Sequence, residues 1–274
     1  MIGALRDAAA RLAGASDTPR LDAELLLAHA LGITRDRLLL DPPTGAPPVA
    51  FDALVARRLA GEPVAYLVGR RDFWTIDLEV GPGVLIPRAD SETLLEGAID
   101  HFADRAPPAR ILDLGTGPGT LLLAALDQWK DATGLGVDRS SRALDYARRN
   151  AARLGLDERA RWREGDWGNG LEGRYDLILC NPPYVRDGAP DLGRGVAEHE
   201  PHEALFAGAD GLGDYRRLAP LFPGLLADGG LVALEIGHDQ ADAVASLVRA
   251  EGLSATLRRD IAGRARALLL TRSS

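Results

Sequence analysis

Ile111-Leu112-Asp113-Leu114-Gly115-Thr116-Gly117-Pro118-Gly119 is the stretch on which the fold turns. Arg110 to Leu114 is a short apolar run that stops at three closely spaced glycines, the pattern of a strand buried on both faces. The glycines let the backbone turn sharply and let a ligand come close to it. A helical pattern follows over Thr120 to Trp129, and the same strand-then-helix unit recurs downstream. Gly134 to Asp138 is a second strand and Ser140 to Leu154 a second helix. Arg161 to Asp166 and Tyr175 to Cys180 are two more strands. Gly211 to Leu226 reads as helix, Gly230 to Gly237 as strand and Asp239 to Glu251 as helix, and Ser254 to Arg259 and Ala265 to Thr271 close the chain. This alternation predicts an α/β domain with a mostly parallel sheet covered on both faces and an antiparallel closing pair.

Toward the N-terminus the period changes. Residues 2 to about 70 read as a small all-α bundle without catalytic motifs. Leu21, Leu25, Leu26, His29 and Leu31 fall near helical spacing behind Thr18-Pro19, and Gly32 stops that helix. A second helix fits Phe51 to Leu59, after a proline-rich loop at 41–48. Phe73, Trp74, Ile76, Leu78 and Val80 favour extended structure, Gly81-Pro82-Gly83 a turn, and Val84-Leu85-Ile86 a returning strand. The expected organisation is a helical substrate-docking domain at 1–70, a β-hairpin connector at 71–88 and a larger α/β domain at 89–274.

Composition narrows the function classes. With 32 Lys+Arg against 40 Asp+Glu the formal charge is −8, so the basic excess typical of proteins that grip duplex DNA is absent overall. A lone cysteine, Cys180, allows no internal disulfide and suits a reducing, cytoplasmic setting. The first residues carry an early acid and no long apolar core, unlike a signal peptide. No apolar run approaches the roughly 18 residues needed to span a bilayer.

A glycine-rich loop after the first strand serves nicotinamide, flavin and S-adenosylmethionine proteins alike. Here it is GxGxG rather than GxGxxG, and the next strand ends in Asp138, placed to hold two ribose hydroxyls. Asp166, after the third strand, can accept from an adenine amine, and Trp167 can pack on the adenine face. The alternative is a set of ordinary strand-to-helix turns with Asp138 and Asp166 as caps.

The fourth strand runs into Asn181-Pro182-Pro183-Tyr184. Asn-Pro commonly opens a turn, but this one stands at a strand's carboxyl end, where open α/β sheets bind ligands. An amide or ring-conjugated amine is a poor nucleophile with two hydrogens to be held. The Asn181 side-chain oxygen and the Pro182 backbone carbonyl supply two acceptors, and proline, with fixed φ and no N–H, leaves them little freedom. Tyr184 can stack on the flat substrate group. So held, the nitrogen lone pair points at a sulfonium methyl carbon, and alignment of this kind is worth up to about 7–11 kcal/mol.

The GxGxG loop, the acidic second-strand end and Asn-Pro-Pro-Tyr are similar to those of amino methyltransferases acting on planar NH2 groups. The rest of the chain resembles the release-factor glutamine N5-methyltransferase family (PrmC/HemK). The resemblance rests on Pro19-Arg20-Leu21-Asp22-Ala23-Glu24-Leu25-Leu26-Leu27, on Gly61 to Gly69 with Phe73-Trp74, and on Val84-Leu85-Ile86-Pro87-Arg88. After Arg88 the family usually continues Pro-Glu-Thr-Glu, where this chain has Ala89-Asp90-Ser91-Glu92. Glu200 to Leu205, Gly208 to Leu212, Glu235-Ile236-Gly237 with Gln240, and Asp260 to Arg264 resemble its later segments.

The resemblance implies a Rossmann-like class I methyltransferase with a seven-stranded sheet. Its substrate would be the glutamine of the Gly-Gly-Gln motif in class I peptide-chain release factors, gripped by the helical domain. S-adenosylmethionine would contact Gly115, Thr116, Gly117, Pro118, Gly119, Asp138, Asp166, Trp167 and Asn181. The glutamine would sit on Asn181, Pro182, Pro183 and Tyr184, with Asn181, Pro182 and Tyr184 catalytic. A monomer is expected, with no bound metal and no direct contact with nucleic acid. A glutamine methyltransferase of a ribosomal protein and an N6-adenine nucleic-acid methyltransferase are the alternatives.

Other features point elsewhere. His199, Glu200, His202 and Glu203 are too loosely spaced for a metal site. Cys180 reads as buried filling. Arg148-Arg149-Asn150 and Arg266 are expected on solvated surfaces, and Arg88 either contacts substrate or pairs with Asp90 or Glu92.

Overall fold

The computed structural model describes residues 1–189 and 195–273. The chain divides into two compact units. The first comprises Met1–Arg70 together with Val80–Pro82 and the described residues 195–200. Its helices are α1 (Ile2–Leu12), α2 (Pro19–Leu31), α3 (Arg35–Leu40), α4 (Val49–Leu59) and α5 (Val64–Val68). Proline at its first turn and Gly32 in the left-handed region bound α2. Leu12, Leu26, Leu27, Phe51 and Val55 form the centre of this unit's core.

The inward face of α2 differs from the stripe expected from its leucines. Leu21 is exposed, whereas Asp22 and Glu24 are buried. Their charges are matched: Asp22 pairs with Arg58 at 2.7 Å, and Glu24 with Arg20 and Arg35 at 2.8 and 2.7 Å. Burial raises the Glu24 pKa, but the two arginines outweigh it and hold the carboxyl below its ordinary range. Hydrophobic periodicity cannot find a helix face that buries ion pairs.

At the start of the second unit, β1 (Arg70–Phe73, all but its first residue in this unit) and β2 (Ile76–Glu79) form a two-stranded sheet. The hairpin turns at Trp74, which adopts φ 55°, and not at Gly81-Pro82-Gly83. Val84-Leu85-Ile86 is not a strand; Val84 and Ile86 are buried. Then come α6 (Glu92–Phe102), β3 (Arg110–Leu114), α7 (Thr120–Gln128), β4 (Thr133–Asp138), α8 (Ser141–Leu154), β5 (Ala160–Glu164) and β6 (Tyr175–Cys180). After α9 (Val196–His199), which groups with the first unit, follow α10 (Gly213–Leu218), α11 (Phe222–Leu225), β7 (Leu226–Glu235), α12 (Ala241–Ala250), β8 (Leu253–Arg259) and β9 (Ala265–Arg272).

The seven strands lie in the order β5-β4-β3-β6-β7-β9-β8. β5 through β7 are mutually parallel, and β9 runs antiparallel to both β7 and β8. This is the mostly parallel sheet with an antiparallel closing pair that the strand pattern predicts. Ile111, Leu112, Leu114 and Leu177 to Cys180 are fully buried, as central parallel strands covered on both faces require. From β3 the chain builds outward through β4 to β5, then returns to the other side of β3 with β6. The crevice outside the carboxyl ends of β3 and β6 is therefore a topological switch point, the place where open α/β sheets bind ligands.

Candidate active site

Both signature segments leave the sheet at that crevice. Gly115 and Thr116 donate their N–H groups to Val137 O at 2.9 and 3.0 Å, which folds the loop back over β4. Gly115 has φ 72°, and a Cβ there would lie 3.0 Å from the Trp167 ring, so only glycine suits the position. Gly117, also left-handed, donates its N–H to Asp138 Oδ2 at 2.8 Å. The other Asp138 oxygen accepts from Ser140 N at 2.9 Å. The aspartate thus shapes both the glycine loop and the entry to α8, and burial raises its pKa.

The cleft encloses about 1030 Å³ including its open mouth. Gly115, Thr116, Gly117, Pro118, Asp138, Asp166, Trp167, Asn181 and Pro183 line it; Gly119, Pro182 and Tyr184 do not. Gly119 instead starts α7 in a left-handed conformation. Asp166 is at the wall, but both its oxygens accept from Arg217, at 2.6 and 2.5 Å. Trp167 has φ 52° and donates through Nε1 to Asp214 Oδ1 at 3.2 Å, which fixes the ring across from Gly115.

Asn181 donates through Nδ2 to Ser91 Oγ at 3.1 Å. Pro182 and Pro183 are buried. The Tyr184 phenol donates to Glu235 Oε1 at 3.2 Å, and its backbone oxygen accepts from Gln240 Nε2 at 3.0 Å. Burial and then the Glu235 carboxylate push the Tyr184 phenol up, so it stays protonated.

Three side chains that sequence reasoning passed over belong to this site. Asp113 lines the cleft, with Oδ2 accepting from Thr116 Oγ1 at 2.6 Å and Leu122 N at 3.1 Å. Its Oδ1 is buried with no hydrogen-bond partner among the described residues, and burial pushes the carboxyl up to about 7. A charge inside an otherwise apolar strand was the available signal. Ser91 lines the cleft and Glu235 lies behind it; their sequence distance from Asn181 hides them.

Other expectations need correction. Arg266 is not solvated: it is 8% exposed, and its Nη2 pairs with Asp90 at 2.8 Å and Asp260 at 3.4 Å. The strand it occupies is covered at this position. Asn150 is fully buried and ties α8 to Glu79 and Pro118 through its side-chain amide, while Arg148 and Arg149 are exposed. Arg88 lines the cleft, Asp90 pairs with Arg266, and Glu92 accepts from Trp74 N at 3.0 Å. Cys180 is buried, and burial raises its thiol far above the ordinary range. Among the described residues no group of three or more His, Cys, Asp or Glu could hold a metal ion, and no helix is long and apolar enough to cross a membrane.

A seven-stranded sheet in this order, entered through a glycine loop after its first parallel strand, defines a class I S-adenosylmethionine-dependent methyltransferase. The donor set suits that cofactor. A buried unpartnered carboxylate oxygen suits an ammonium, a strand-end aspartate suits hydroxyls, and a fixed indole offers a flat face. The 16S rRNA N2 G1207 methyltransferase of T. thermophilus, solved with AdoMet and guanosine, shares the fold. Its TM-score is 0.54 at 18% identity, covering 74% of this chain and 50% of that one.

Family profiles narrow the class: residues 3–69 match the PrmC N-terminal domain and residues 91–198 the methyltransferase small domain. The release factor glutamine methyltransferase of Rhodospirillum rubrum is 42% identical over 261 residues, covering 93% of this chain and 80% of its own. That of Xylella fastidiosa Temecula1 is 45% identical over 240 residues, covering 86% of each chain. The chain belongs to the release factor glutamine methyltransferase family.

Proposed function

We propose that this protein transfers a methyl group from S-adenosylmethionine to the side-chain amide nitrogen of the Gly-Gly-Gln glutamine in class I peptide-chain release factors. The observation that carries the reading is the Asn181 side chain at the cleft wall, with its NH2 committed to Ser91. That leaves Oδ1 as an acceptor for a substrate carboxamide. With the Pro182 backbone carbonyl, which lies just behind the cleft lining, it would provide two acceptors for two hydrogens and so fix the plane of the amide. The bound cofactor supplies an electrophilic methyl group. Asp113, the glycine loop, Asp138, Asp166 and Trp167 are the residues that would hold it.

The chain's own contribution is orientation and charge. The two acceptors oppose the positive charge that grows on the nitrogen, a stabilisation absent from the neutral ground state. No strong base is needed before transfer, because the amide proton becomes far more acidic afterwards. The helical unit within residues 1–70 would grip the release factor, and the site of action would be the cytoplasm, where translation terminates.

The test is incubation of a folded release factor with the protein and S-adenosylmethionine, followed by peptide mass spectrometry. One added methyl on the Gly-Gly-Gln glutamine is expected, and its loss in Asn181→Ala. A release factor left unmodified by the intact protein overturns the reading.

A further inference from the structure

A polar relay lies behind the Asn-Pro-Pro-Tyr segment. Asn181 Nδ2 donates to Ser91 Oγ at 3.1 Å, and Ser91 Oγ donates to Glu235 Oε2 at 2.5 Å. The other Glu235 oxygen accepts from the Tyr184 phenol at 3.2 Å. Ser91 and Glu235 are 3% and 1% exposed, so no bulk solvent competes for these bonds. Two substrate-side residues therefore converge on one carboxylate from the end of β7.

We propose that Ser91 and Glu235 act as positioning residues that fix which way round the Asn181 amide sits, so that its oxygen and not its NH2 faces the substrate. The proposal rests on the glutamine-methylation reading above. The reason is proton counting. A serine hydroxyl has one proton to donate, and Ser91 gives it to the carboxylate. Toward Asn181 the hydroxyl can then only accept, and only the NH2 end of the amide satisfies it. Turned by 180°, Asn181 would present donors to a substrate amide that also presents donors, and Ser91 Oγ would face a second acceptor.

The direction of the relay depends on Glu235 being ionised. A protonated Glu235 could donate to Ser91, freeing the hydroxyl proton for Asn181 and reversing the amide. The groups around the carboxylate bear on this. Burial, the largest influence, and Asp90 oppose the charged form, while the Ser91 hydroxyl, Arg266 from β9 and the Tyr184 hydroxyl favour it. With the carboxyl raised to about 7, the relay takes this direction as Glu235 ionises, from about pH 7 upward. Tyr215 from α10 donates to the Glu235 backbone oxygen at 3.0 Å and holds that end of β7 in place.

The experiment uses the full-length protein, a folded release factor and S-adenosylmethionine, with Ser91→Ala and Ser91→Thr compared with wild type. Ser91→Ala is expected to lower kcat by about 10- to 100-fold, the scale of a misoriented reacting group. The KM for the release factor and the Kd for the cofactor should stay within about twofold. Ser91→Thr, which restores the hydroxyl, should recover most of the rate. A Ser91→Ala kcat within about twofold of wild type overturns the proposal, as does an equal loss in both variants. A loss that appears in cofactor affinity rather than kcat also overturns it. Failure of the wild type to methylate the release factor is a separate result: it removes the functional reading itself, and the relay with it.

Discussion

At the scale of single residues, Asp113 carries a direct consequence for cofactor binding. Its carboxyl is pushed up to about 7, chiefly by burial and further by Asp138, against the hydrogen bonds from Thr116 and Leu122 N. A cationic group placed against its unpartnered Oδ1 would favour the ionised form. Binding of S-adenosylmethionine should then release a proton, and affinity should rise between pH 6 and 8. Titration calorimetry in buffers of different ionisation enthalpy measures both. Asp113→Asn should weaken binding by about tenfold, as for a lost charged hydrogen bond, and flatten the pH dependence. Unchanged affinity in the variant would show that Asp113 serves only the loop. Residues of this kind were unevenly legible. Asn181 stood out because its tetrapeptide has few structural reasons to exist at a strand end. Asp113 is one charge in an apolar strand, which by itself assigns no role, and Ser91 and Glu235 reach the site from 90 residues before Asn181 and from the end of β7. No local pattern encodes a hydrogen bond across such separations.

At the scale of elements, the glycine loop is where backbone conformation and ligand access coincide. Gly115 is left-handed, so Gly115→Ala should cost about 1–2 kcal/mol from backbone strain alone. Its new Cβ would press on the Trp167 ring, 3.0 Å away, which Asp214 holds through Nε1. The expected outcome is a Tm lowered by roughly 2–8 °C with a disproportionate loss of cofactor affinity, measured by calorimetry on the variant. A Tm change with undisturbed affinity would mean that the ring does not border the cofactor. Elements were most legible where one force dominates. The strands β3 and β6 are short apolar runs buried on both faces, and burial alone explains them. The hairpin was misplaced because Gly81-Pro82-Gly83 carries the usual turn chemistry while the chain turns at Trp74, a left-handed tryptophan that no propensity favours. The helix α6 buries Leu94, Leu95, Ala98 and Phe102 at helical spacing, but its short pattern lies between a proline-containing segment and the glycine loop, whose signals are stronger.

For the whole molecule, the site charges set how stability varies with pH. Asp113 and Glu235 are both buried with carboxyls raised to about 7, above the ordinary 3.8 and 4.5 of the unfolded chain. Between those values and pH 7 the unfolded chain gives up protons that the native state retains. Each group's contribution is therefore complete only below those ordinary values and is lost as pH rises from there toward 7, by a few kcal/mol in order of magnitude. Glu24 and Asp127 act in the opposite sense. Their lowered values stabilise the fold above their ordinary pKa and withdraw that support as pH falls through the acid range. The two trends place the highest Tm at about pH 4–5, with a decline toward pH 7. The formal charge of −8 adds self-repulsion in the same direction. Salt separates the causes: repulsion among exposed charges is screened at high ionic strength, whereas the penalty on two buried carboxylates is largely kept. Thermal unfolding from pH 4 to 8, at low and high salt, should show an alkaline decline that survives added salt and shrinks in Asp113→Asn. A Tm that climbs steadily from pH 5 to 8 would mean that neither carboxylate holds a proton in the folded protein.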